Sequence, residues 1–185
     1  MKKLIFCLAA IWISALLHGQ TLPPVDKSPM DMSYYPNNYP VLKIQDKLTE
    51  PLVARVIYSR PQRSGRAIFG GLVKYGEVWR FGANEATEIE FYKNVKIGGK
   101  KLKTGRYTLY AIVNENTWTI IVNKETDTWG SFKYDAKKDI VRTQVPVQKA
   151  DTSVEYLSMV FEKTATGMNL IVAWDLVKVA IPFNF

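Results

Sequence analysis

Arg60, Arg66 and Arg80 fall within one stretch, residues 58–87 (YSRPQRSGRAIFGGLVKYGEVWRFGANEAT), together with Asn84 and Glu85. A guanidinium is a flat, permanently charged fork that grips a planar oxyanion at two oxygens. Gly82 would let a ligand approach the backbone, and Asn84 and Glu85 would orient a hydroxyl or amine beside it. The chemistry open to this set is capture of a small anionic molecule or an acidic glycan. The competing reading is structural: the arginines pair with Glu77, Glu85 or loop carbonyls and hold the stretch in shape. Glu85 is also a candidate general acid or base, with an arginine steadying negative charge, which would make the protein a hydrolase or lyase acting on envelope carbohydrate.

Other side chains add weaker possibilities. Trp79, Trp118, Trp129 and Trp174, with Tyr107, Tyr110 and Tyr134, could stack on a sugar ring; Trp129 is the best placed, in a polar segment with Ser131 and Tyr134, whereas Trp118 and Trp174 sit in strand-like runs and read as core. Glu88 and Glu90, two apart on a strand, place their carboxylates on one face at about 7 Å, close to the spacing of a glycosidase pair. Two wet glutamates on the outer face of a half-buried strand are the commoner arrangement. Lys93, Lys96, Lys100, Lys101, Lys103 and Arg106 surround Gly98-Gly99 and could rest on an anionic surface, although such lysines also keep a strand edge soluble. Neither GxxxxGK[ST], nor GxGxxG after a strand, nor an ordered calcium loop occurs, so no cofactor is expected. Nucleic acid is not an expected partner, because an aromatic-basic platform in the right compartment is missing.

These residues must be positioned by strands. Residues 52–59 (LVARVIYS), 77–81, 87–92, 140–147, 153–163, 168–174 and 176–183 carry β-branched or alternating patterns. Gly98-Gly99 between 95–97 and 100–102 signals a tight hairpin, and 105–113 with 117–123 forms a second pair turning at residues 114–116. Residues 125–138 (ETDTWGSFKYDAKK) break the pattern and read as a structured loop or a helical turn. Short strands at hairpin spacing without a long amphipathic helix predict an all-β fold, a mainly antiparallel sandwich or barrel.

The chain has 185 residues, 47% of them hydrophobic, enough for one domain with a sizeable core. Residues 1–19 (MKKLIFCLAAIWISALLHG) read as a secretory signal peptide, with Lys2 and Lys3 before a short apolar run. The mature protein would then be exported, not transmembrane, and periplasmic, outer-membrane-associated or secreted. Cleavage would remove Cys7 and His18, the single cysteine and single histidine, and with them triads, thiol redox centres and cysteine/histidine zinc sites, so no metal site is expected. The net charge of +8 falls to +6 without the two leader lysines, a balance that favours anionic surfaces, glycans or small acids over nucleic acid in that compartment. Residues 20–46 contain five prolines and read as an extended or irregular Pro/Tyr-rich arm that could dock a partner or a second copy; 47–185 would be the β domain.

The arginine- and glycine-bearing stretch, with GGKKLKTGRYTLYAI, WTIIVNK and the segment from Trp129 to Tyr134, resembles a family of exported bacterial proteins, domain of unknown function family 2911. The matching positions include Ser59-Arg60-Pro61, Gly65-Arg66, Ile68-Phe69-Gly70, Tyr75-Gly76, Trp79-Arg80, Gly82-Ala83-Asn84-Glu85 and Thr87, and the likeness spans residues 52–147. The resemblance implies a signal-peptide protein of Bacteroidota-type bacteria and implies no activity. Phe81 stands where the pattern carries a smaller polar residue, which would alter the wall of a pocket there. The combined expectation is an exported binding protein with a ligand site at Arg60, Arg66, Arg80, Asn84, Glu85 and Trp129.

Overall fold

The computed structural model describes residues 22–185; the predicted leader lies outside them. Eleven strands and one short helix follow in order: β1 (Met30–Tyr35), α1 (Tyr39–Ile44), β2 (Ala54–Ser59), β3 (Val78–Trp79), β4 (Glu88–Phe91), β5 (Val95–Ile97), β6 (Lys100–Leu102), β7 (Gly105–Ile112), β8 (Thr117–Asn123), β9 (Asp139–Pro146), β10 (Gln148–Thr164) and β11 (Gly167–Asn184). One sheet runs β1-β2-β4-β7-β8-β9, with β3 also paired to β7, and a second runs β10-β11-β5-β6. All pairings within the named strands are antiparallel. The molecule is an all-β sandwich, as the hairpin spacing predicts. No helix among the described residues is long and apolar enough to cross a membrane.

The two hairpins fall where the sequence places them: Val95 faces Leu102 across Gly98-Gly99, and Thr108 to Ile112 pair with Asn123 to Thr119. Three expectations need correction. Residues 168–174 and 176–183 are one continuous strand, β11, which passes through Asp175 at φ 53° instead of turning there. Strand β3 covers just two residues, because Gly76 before it and Phe81 after it both take positive φ. The arm is not irregular throughout: β1 pairs residue for residue with β2, from Met30 opposite Ser59 to Tyr35 opposite Ala54, so the first sheet begins upstream of residue 47. Tyr35 is buried, with its ring edge-on to Phe161 and Phe185.

The core sits between the sheets and is strongly aromatic. Trp118 from β8 and Trp174 from β11 meet Trp79, Phe81 and Phe69 from the 58–87 stretch, with the Trp79 and Trp174 rings stacked at 6.2 Å and Phe69 5.0 Å from Trp118. Fully burying one such side chain is worth roughly 1.5–3 kcal/mol, which fixes a loop that has little regular structure of its own. The Trp79 indole N–H donates to the Gly82 carbonyl at 3.1 Å, and Thr87 donates its hydroxyl to the Phe81 carbonyl at 2.7 Å. Phe81, expected in a pocket wall, is therefore a core anchor.

Along one border the sheets are joined by side chains and by one isolated backbone bridge, Gln62 opposite Tyr156. Ser33 donates to the Met159 carbonyl at 2.6 Å, the Met159 amide donates to the Tyr58 hydroxyl at 2.9 Å, and Asn37 donates to the Phe161 carbonyl at 2.8 Å.

Candidate functional site

Arg60 belongs to that seam. Its Nε donates to the Leu157 carbonyl at 3.2 Å, Nη2 to Ser158 Oγ at 2.9 Å and Nη1 to Asp31 Oδ2 at 3.0 Å. The guanidinium satisfies groups of β10 where the backbone bridge at Gln62 and Tyr156 ends. Arg66 turns back on its own loop, donating to the carbonyls of Arg63 and Gln62. It lines a hollow with Lys27, Ser28, Gln62 and Ser64. Arg80 alone of the three makes no side-chain hydrogen bond or ion pair among the described residues; its Nε is buried without a partner, and desolvation pulls the guanidinium below its ordinary value. The arginines thus do not converge. Arg60 and Arg66 perform the structural role that competed with anion capture.

Asn84, Glu85 and Trp129 do come together. The Gly130 amide donates to the Asn84 carbonyl at 2.9 Å and the Ala86 amide to the Thr128 carbonyl at 3.0 Å, which makes Glu85 and Trp129 an isolated bridge pair. Asn84 reaches this position at φ 55°, a left-handed conformation that asparagine tolerates better than most residues. Glu85 is exposed and its carboxylate makes no hydrogen bond or ion pair among the described residues. It lines a small hollow of about 190 Å³ with Met30, Ile57, Ala86, Glu88 and Asp127.

The larger cavity lies next door, sharing Asp127 and Thr128 with that hollow. It is a cleft of about 450 Å³ lined by Tyr110, Glu125, Trp129, Phe132, Lys133 and Tyr134, among others. Trp129 is 62% exposed and Phe132 84% exposed, an unusual outlay of aromatic surface on one loop. The floor is a second small core outside the first sheet, where Tyr110, Ile121 and Ala86 are buried and Tyr134, Val78 and Ile112 pack against them. The Tyr110 and Tyr134 rings meet edge-on at 5.0 Å.

The loop that carries the aromatics is held at many points. Asp139 Oδ2 accepts from the Tyr134 hydroxyl at 2.6 Å and from Arg142 Nε at 2.8 Å, while its Oδ1 accepts from Asn123 Nδ2 at 2.9 Å. Burial and the Asp139 carboxylate push the Tyr134 hydroxyl up to about 12. A single 3-10 turn at Ala136–Lys138, capped by the Asp135 side chain, leads into β9. Thr128 Oγ1 lies 3.0 Å from the Tyr110 hydroxyl, and Ser131 donates to the Val78 carbonyl at 3.0 Å. The acids around the cleft are already neutralised: Glu125 by Lys138 at 2.5 Å and Asp127 by Arg106 at 2.6 Å. The arrangement offers an apolar platform beside hydroxyls and paired charges, with Lys133 exposed at the rim.

Glu88 and Glu90 share the outer face of β4, between buried Ile89 and Phe91. Each is engaged: Glu88 with Arg106 at 3.3 Å and the Asp127 amide at 2.6 Å, Glu90 with Arg55 at 2.6 Å and the Tyr92 hydroxyl at 2.7 Å. Hydrogen bonding from Tyr92 and Arg55 holds Glu90 below its usual value, the opposite of what a general acid needs. Sequence reasoning found Trp129, Tyr110 and Tyr134 but missed Phe132 and Thr128. The phenylalanine had a signal: an aromatic three residues past a tryptophan, in a loop too polar to bury both.

The sequence model of the family described as protein of unknown function (DUF2911) matches residues 42–183. No curated protein and no solved structure matches the chain.

Proposed function

Because the chain belongs to the DUF2911 family, whose description assigns no activity, we propose its function from the site alone: it is an exported ligand-binding domain that receives a sugar ring in the cleft at residues 125–134. One observation carries the reading. Trp129 and Phe132 are held out toward solvent on a loop fixed by backbone pairing to residues 84–86, over a floor of tyrosine and threonine hydroxyls. An indole face meets the C–H face of a sugar, and the hydroxyls and paired charges beside it supply the directional contacts that small-ligand sites use to fix orientation. The acidic wall is charge-balanced, so a neutral ring fits; a carboxylate on the ring would find Lys133. Binding is favoured over hydrolysis because Glu85 is exposed and lines the smaller hollow, so no unpaired carboxylate stands in the aromatic cleft where the ring would sit.

The test is a thermal-shift and tryptophan-fluorescence screen against neutral and acidic mono- and oligosaccharides, repeated on Trp129→Ala. A sugar that binds the folded state raises the melting temperature, and loss of the platform weakens binding at least about tenfold, equivalent to about 1.4 kcal/mol. A sugar that binds Trp129→Ala as well as the native chain, or a screen in which no saccharide shifts the melt, overturns the assignment.

A further inference from the structure

The β5-β6 hairpin carries Lys93, Lys96, Lys100, Lys101 and Lys103 on or beside its strands, all exposed. None of the five makes a salt bridge among the described residues, whereas Lys138 and Lys163 elsewhere find Glu125 and Glu50. Lys96 and Lys101 stand directly opposite one another across the ladder, a like-charge pair that costs stability. Edge protection explains lysines on β6, which has a free side, but not Lys96. That residue lies on β5, which is paired on both sides, with Lys101 on one neighbour and Asn184 on the other. Phe185, next to that pairing, is 42% exposed with the Lys93 ammonium 4.4 Å from its ring centre.

We propose that this hairpin is a docking surface for an anionic lipid bilayer. Five uncompensated ammonium groups beside a half-exposed aromatic ring form the combination that settles at a headgroup layer, with the charges among phosphates and the ring at the interfacial level. None of the five lysines lines any of the cavities described above, so the surface suits a broad sheet of charge better than a threaded polyanion chain.

The experiment is co-sedimentation of the chain spanning residues 22–185 with phosphatidylglycerol-containing vesicles and with pure phosphatidylcholine vesicles, at low and high salt. Binding is expected to the anionic vesicles alone and to fall as salt rises. Lys96→Glu removes a cation and adds an anion, and so lowers partitioning by about 25-fold, two charge steps of about fivefold each. The same substitution turns the cross-strand repulsion into attraction, so its melting temperature holds or rises while vesicle binding is lost. Lys74→Glu, with the same change in net charge at an exposed site beside Gly76, which pairs with Val113 at the opposite end of β7 from the hairpin, is expected to retain binding. Equal loss in both variants would reduce the effect to overall charge and overturn the proposal. So would no binding to anionic vesicles by the native chain, or retention on an immobilised acidic polysaccharide without vesicle binding.

Discussion

Asp139→Ala tests whether the aromatic loop is latched to the sheet. The carboxylate side chain is 10% exposed and accepts three hydrogen bonds, from Tyr134, Arg142 and Asn123. The Arg142 contribution is discounted heavily, because that side chain is 44% exposed and water replaces the lost partner. Tyr134 and Asn123 donate from a part-buried setting, and each loses a charged acceptor worth about 1.5 kcal/mol. Asn123 keeps its bond to the Asp135 carbonyl, so the sum is about 3 kcal/mol, or roughly 6–12 °C in melting temperature for a domain of this size. Asp139→Asn preserves shape and one acceptor oxygen and should cost about a third as much. Calorimetry gives the stability, and acrylamide quenching reports the loop. Among the described tryptophans, Trp79, Trp118 and Trp174 are buried, so a rise in quenching belongs to Trp129. A drop below about 2 °C with unchanged quenching would show that the loop stays in place without Asp139, and the latch argument would fail.

Three further outcomes follow from other parts of the molecule. Gly167→Ala would bring a Cβ to 2.1 Å from the Phe183 carbonyl oxygen, a backbone atom that cannot swing away, so chemical denaturation should show a loss above about 3 kcal/mol or no folded protein. Glu90 has a folded value below its unfolded 4.5, held there by Tyr92 and Arg55; its contribution is present above pH 4.5 and lost as pH falls through the folded value. The stability gap between the native chain and Glu90→Gln should therefore shrink in acid, and a gap that widens would contradict the assigned partners. Tyr92 and Tyr134 are both raised to about 12, so what they add to stability is intact below pH 10 and disappears as pH rises through 12. Tyr35, Tyr58, Tyr107 and Tyr110 are also raised by burial, so alkaline titration of phenolate absorbance should lose one late-ionising tyrosine in each of Tyr92→Phe and Tyr134→Phe while the others remain.

The hairpins were legible because their signals are local: Gly-Gly at a two-residue turn, and period-two alternation on either side. Strand β1 was not. Met30 and Met32 are exposed and the segment is flanked by prolines, so nothing in the pattern announces a strand whose hold comes from backbone pairing to β2, one buried tyrosine and the side-chain bonds of Asp31 and Ser33. The helix α1 buries no residue, which removes the periodic apolar face that reveals helices in sequence. The partners of Arg60 were not legible for a related reason: the carbonyl it meets lies 97 residues away, on a strand whose position no local pattern encodes. The covered floor was readable in principle. Residues 108–111 of β7 and 120–123 of β8 are buried on successive positions, and strands apolar on both faces must be covered on both faces.

That double cover has an evolutionary consequence. Elsewhere on a sandwich, recognition loops hang from hairpin tips, where changing a specificity residue also disturbs the turn that supports it. Here the residues proposed to meet a ligand ride on a segment fastened across the middle of a sheet by groups that face inward: Tyr134, Thr128 and the Asn84 and Val78 carbonyls. The side chains at 129, 132 and 133 make no hydrogen bond or ion pair among the described residues, so under the proposed function substitution at these sites would retune the ligand while the fastening stays as it is.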